Sequence, residues 1–150
     1  MKNKLILIAA VLIAGFVGVE NYSDRSKPGN VEIAAQSNHS ADAAFTQAYE
    51  SRATKLQIAG SGTVVKVLPD DNDGSRHQRF IVRLGSGQTL LVAHNIDLAP
   101  RVAALKAGDA VEFYGQYEWS DKGGVMHWTH ADPGGRHVGG WIKHNGQTYQ

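Results

Sequence analysis

From Gly60 to the C-terminus apolar and polar residues alternate with period two, and a helical period precedes them. "ADAAFTQAYESRA" (Ala41 to Ala53) puts Phe45, Ala48 and Tyr49 at i, i+3 and i+4. That spacing predicts an amphipathic helix of about three turns with Ser40 as its N-cap. "GTVVKVL" (Gly62 to Leu68) reads as a Val-rich strand stopped by the turn cluster "PDDNDGS". In "HQRFIVRL" (His77 to Leu84) Phe80, Val82 and Leu84 take one face; His77, Arg79, Ile81 and Arg83 take the other. "GSGQ" turns the chain into a returning strand, "TLLVAHNI" (Thr89 to Ile96). "DLAPRVAALKAG" (Asp97 to Gly108) has an Asp cap, an early proline, Val102 and Leu105 three apart, and a glycine stop, which predicts a short helix. Alternation resumes in "DAVEFYGQYEW" (Asp109 to Trp119), and "VMHWTH" (Val125 to His130) follows the turn "DKGG". The tail predicts one more hairpin around Asn145-Gly146.

The expected fold is therefore mainly β. Three strands, a short helix and two strands is the order of an OB-fold, a five-stranded Greek-key barrel with the helix between strands three and four. The N-terminal helix and the C-terminal hairpin are additions to it. A β-sandwich would call for more strands and no central helix.

The first forty residues change the picture of the compartment. Lys2 and Lys4 precede "LILIAAVLIAGFVGV" (Leu5 to Val19), which has no charge. These are the parts of a secretory signal, although no Ala-x-Ala site precedes Glu20. The run is short against the roughly 20 residues a membrane span needs, so residues 1–19 are read as a signal peptide or an uncleaved anchor. Residues 20–40 mix Ser, Asn, Gly and charges without a period and are expected to be a flexible tether. The domain is expected over residues 41–150, periplasmic or secreted, touching a membrane only through an uncleaved N-terminal segment. The chain has no cysteine, so a disulfide framework and a lipid-bearing cysteine are both excluded.

Charge narrows the partners. From Lys55 onward ten Lys and Arg face nine Asp and Glu, without the basic surplus of a sequence-independent nucleic-acid binder.

The strings "HNIDLAPR", "GDAVEFYGQYEW", "HWTHADP" and "HVGGWI" together resemble a family of small exported bacterial proteins described as a domain of unknown function (DUF3465). The likeness covers about Lys55 to Gln150. It implies export and a small β-barrel; it implies no activity and no catalytic residue.

Three sets of side chains carry candidate chemistry. "HWTHADPGGRH" (His127 to His137) holds three histidines and an aspartate. On a regular strand His127 and His130 point to opposite faces, so His127 is expected to be structural and His130 to share an accessible rim with Asp132. His130, Asp132 and His137 form a set suited to zinc or another first-row divalent ion; the alternative is that they order a rim and a turn by hydrogen bonding. His94, at the end of the third strand, is the catalytic candidate, as a further ligand or a base. His77, Arg79 and Arg83 with Trp128 form the expected ligand face, since OB-folds bind oligonucleotides or oligosaccharides across strands two and three. Tyr114, Trp119 and Trp128 are the aromatics available for stacking. The acids of "DDNDG" do not fall at calcium-loop spacing, and no nucleophile elbow, P-loop or dinucleotide motif occurs.

The resulting expectation is an exported binding module for an anionic or polymeric ligand, without catalysis. The first alternative is a small metal-dependent hydrolase of phosphodiesters using the His/Asp cluster. The second is a structural partner of an envelope or secretion complex.

Overall fold

A computed structural model of the chain describes residues 28–150, with side chains from Asn38 onward. The expected signal or anchor, residues 1–19, lies outside the described residues. One helix and seven strands follow in order: α1 (Pro28–Glu50), β1 (Leu56–Asp71), β2 (His77–Arg83), β3 (Thr89–Asn95), β4 (Ala110–Glu118), β5 (Val125–His127), β6 (Trp141–His144) and β7 (Gln147–Tyr149).

Five strands form a closed ring. The order is β1-β2-β3-β5-β4, and β4 pairs back onto β1. The long β1 makes closure possible by serving two neighbours: Leu56 to Thr63 pair with β4, and Thr63 to Asp71 pair with β2. The change of partner falls at Thr63, next to Gly62, where a Cβ would run into the carbonyl of Arg83. A register shift between Val64 and Lys66 adds a bulge, which bends the strand further. The parallel pairing of β3 with β5 is held by Leu91–Val125 and Val92–Met126.

Inside the ring Phe80, Val82, Leu90, Val92, Val111, Phe113, Tyr117, Met126 and Ile142 are buried. α1 closes one end of this core. Its Phe45 ring lies 6.0 Å from Phe113 and 5.9 Å from Tyr117, and Trp119 seats the helix end by stacking on Tyr49 and donating Nε1–H to its carbonyl. The hairpin β6–β7 turns on Asn145 and Gly146, both at positive φ, as an Asn-Gly type I′ turn requires.

Three expectations need correction. α1 begins at Pro28, so Ser40 is inside the helix, and residues 28–40 of the expected tether are helical. No helix forms between β3 and β4: Ile96 to Gly108 is a series of turns. Its backbone bonds to distant side chains instead of to itself. Gln78 takes both the N–H and the C=O of Val102, Tyr149 accepts from Ala103, and His94 donates to Pro100. Finally, β5 ends at His127. Trp128 has φ 52°, and residues 128–140 leave the sheet before β6 resumes beside β4. Gly140 closes the neck of this excursion, its N–H donating to His130 at 2.8 Å and its Cα packed on the carbonyls of Trp128 and Tyr114.

Candidate functional site

The histidines of the molecule are mostly built into its framework. His94 is fully buried at the end of β3. Nε2 lies 3.1 Å from the Pro100 carbonyl and Nδ1 2.9 Å from Thr129 Oγ1. A carbonyl only accepts, so Nε2 carries the proton and Nδ1 accepts from the threonine hydroxyl. Burial lowers the pKa of His94 from 6.5 to about 4, because the charged ring would lose its hydration. As a candidate base it is sealed from substrate. Gln78 beside it is equally buried and holds the Ile96–Gly108 connection.

The excursion answers the metal expectation by its hydrogen bonds. Asp132 accepts from the N–H groups of Gly134, Arg136 and His137 at 2.7–2.9 Å. These bonds hold its carboxyl below the usual carboxylate range and tie up both oxygens. His137 directs Nδ1 to the Val138 carbonyl and Nε2 to Gln116 Oε1, at 2.7 and 2.6 Å. His130 directs Nδ1 to Ala131, and it is buried rather than rim-exposed. His127, expected to be the structural one, is half-buried, and burial lowers its pKa against the opposing pull of Glu118. His127 and His130 are not on one regular strand, because β5 stops before Trp128. Among the described residues no three His, Asp or Glu side chains could hold an ion together. Trp128 stacks on His137 with centroids 4.0 Å apart and an interplanar angle of 9°. Its ring therefore stabilises the excursion and does not join the row on β2.

That row forms as expected. Gln78, Phe80 and Val82 point inward and are buried, so His77, Arg79, Ile81 and Arg83 point outward. His77 is held by the Ser75 carbonyl at 2.7 Å. Arg79 donates to the Pro69 carbonyl at 3.1 Å and lies 3.9 Å from Asp71. Arg83 stands at the α1 end of the row and lines a groove of about 410 Å³ with Asn38 and Asp42.

The row has a feature that sequence patterning missed. Ile81 pairs with Leu91 across β2–β3 and with Lys66 across β1–β2, and Leu91 pairs with Val125. Leu68, Ile81, Leu91 and Val125 line an aliphatic cleft of about 470 Å³, walled on one side by Ser120, Asp121 and Lys122 of the β4–β5 connection. Lys66 and the two arginines are Ile81's neighbours on this face. Lys66, Arg83 and Lys122 form no ion pair with the described residues. The members come from four strands and a loop, so no local motif announces them. Only the outward position of Ile81 among charged residues signals an apolar floor.

Residues 30–150 match the model of a family described as a protein of unknown function (DUF3465). A comparison with curated proteins gives no match.

Proposed function

The chain belongs to the DUF3465 family, whose description assigns no activity, and we propose that it is a ligand-binding module of the OB-fold type. The strand order β1-β2-β3-β5-β4, the return of β4 to β1 and the parallel β3–β5 contact support the OB assignment. The ligand is an extended anionic polymer, best represented by a short single-stranded oligonucleotide. It lies across β2, β3 and β5, with apolar groups over Leu68, Ile81, Leu91 and Val125 and phosphates towards Lys66, Arg79, Arg83 and Lys122. The observation that carries this reading is the aliphatic cleft, which Lys122 lines and which Lys66 flanks opposite Ile81, with Arg79 and Arg83 on the same outward face of β2. It makes one face locally cationic on a chain whose net charge is only +1. OB-folds use this face and the loops beside it for such ligands, and guanidinium groups suit phosphate oxygens. The apolar run Leu5 to Val19 supports a working location outside the cytoplasmic membrane.

An NMR titration of the protein with a deoxythymidine decamer tests the reading. Shifts are expected at Ile81, Leu91, Val125 and Lys122, with affinity in the range of about 10⁻⁴ to 10⁻⁶ M typical of nonspecific binding. Shifts confined to other strands, or none at millimolar decamer, would refute it.

A further inference from the structure

A second outward face lies on β1, β4 and β6, and strand register arranges it as a grid. Gln57 stands opposite Gln116. Ala59 stands opposite Tyr114, which in turn faces Trp141. Ser61 stands opposite Glu112, which faces Lys143. The intervening Val111, Phe113 and Ile142 are buried in the core, so the grid residues point to solvent. Its middle row is apolar and aromatic, and the rows beside it carry amides, a hydroxyl, a carboxylate and an ammonium.

The rings of Tyr114 and Trp141 are half-buried, 6.3 Å apart and inclined at 36°. Lys143 Nζ lies 4.6 Å from the Trp141 centroid and 4.0 Å from Glu112. The two charges of that row therefore cancel. Gln116 is oriented by His137 and Glu118, and Gln57 by the Val138 carbonyl. Beside the Glu112–Lys143 pair is a hollow of about 310 Å³ that Thr148 and the Asn145–Gly146 turn also line.

We propose that this face is a separate binding site for a neutral oligosaccharide. Sugar rings present apolar C–H faces and polar edges, and this grid is complementary to both: rings in the middle, hydrogen-bonding groups on either side. Tyr and Trp supply such contact area with a polar tip. The row from Ala59 to Trp141 crosses two strand spacings, about 10 Å, which accommodates a sugar unit and part of the next. A polyphosphate chain is disfavoured, because Lys143, the cation over the Trp141 ring, already faces Glu112. A purely aliphatic partner would strip water from the flanking amides and the ion pair without replacing its hydrogen bonds.

Isothermal calorimetry of the full chain with a glucose β-1,4-hexamer and an N-acetylglucosamine hexamer tests the site. At least one is expected to bind with a Kd of about 1 mM or tighter, unchanged by raising salt. Trp141→Ala should weaken it about tenfold or more. Glu112→Ala, an exposed change that spares the core, should also weaken it, and Arg83→Ala should not. Failure of both hexamers to bind would overturn the proposal. So would binding that Trp141→Ala and Glu112→Ala both leave unaltered, or salt-sensitive binding of a deoxythymidine decamer to this face. Failure of the hexamers to bind leaves the reading of the β2–β3 cleft untouched, which the arginine variants report separately.

Discussion

The end of the ring around His94 and the outer face around Ile81 both join apolar residues to polar or charged ones, yet the two are finished differently. Around His94 every polar group is paired: Gln78 with Val102, His94 with Thr129 and Pro100, Tyr149 with Ala103. No buried side-chain nitrogen or oxygen among the described residues lacks a partner. Around Ile81 the floor is apolar and partly open, and Lys66, Arg83 and Lys122 have no ion-pair partner among the described residues. Complete pairing under burial is what a framework needs. Unpaired cations beside exposed aliphatic surface are what a ligand can use.

The comparison breaks most directly at Gln78. Gln78→Ala would leave the N–H and C=O of the buried Val102 without partners, a cost of about 4 kcal/mol for the two groups. Denaturant unfolding should show that loss, with decamer affinity per folded molecule unchanged. A normal unfolding midpoint would mean that the Ile96–Gly108 connection is held by something else.

Acid should act on the same end. Because the folded pKa of His94 is depressed to about 4 from 6.5, the unfolded chain binds a proton more readily between those values. Its contribution is complete above pH 6.5 and is lost as pH falls towards 4, about 3 kcal/mol in all. His127, also lowered by burial, adds a slope of the same sign. Asp97, Asp109 and Asp132 have carboxyls below the ordinary 3.8, so their stabilisation disappears only at still lower pH. Stability measured from pH 7 to 4.5 should therefore fall in the wild type and fall much less in His94→Gln. Parallel profiles would contradict a buried neutral His94.

These two regions were not equally legible in the sequence. Alternation in "HQRFIVRL" assigned both faces of β2, because a strand's period is local. The Asn-Gly hairpin was legible for the same reason. "DLAPRVAALKAG" misled: its caps suit a helix, but Gln78, His94 and Tyr149 claim its backbone from distant parts of the chain. "HWTHADPGGRH" misled in another way, since the strand ends where Gly140 returns between Trp128 and Tyr114. That close approach is a tertiary fact, and it reverses the expected burial of His127 and His130. Leu68, Leu91 and Val125 read as ordinary strand residues until the pairing of four strands joins them in one cleft.

The smallest stability effect belongs to the open face. Arg83→Ala should change unfolding by no more than about 0.5 kcal/mol, because the side chain is exposed and has no ion pair among the described residues. A larger loss would assign it to the framework with His94.

The central claim, that function lies on the open cationic face and not among the paired histidines, is tested most directly by salt. Decamer affinity should be measured from low to high salt for the wild type, for Arg79→Ala with Arg83→Ala, and for His130→Ala with His137→Ala. If four cations meet phosphates, the logarithmic slope should be near −3 in the wild type, at about 0.7 per contact, and shallower by about 1.4 in the arginine pair. The histidine pair should keep the wild-type slope. A slope that is unchanged in the arginine pair and collapses in the histidine pair would contradict the account.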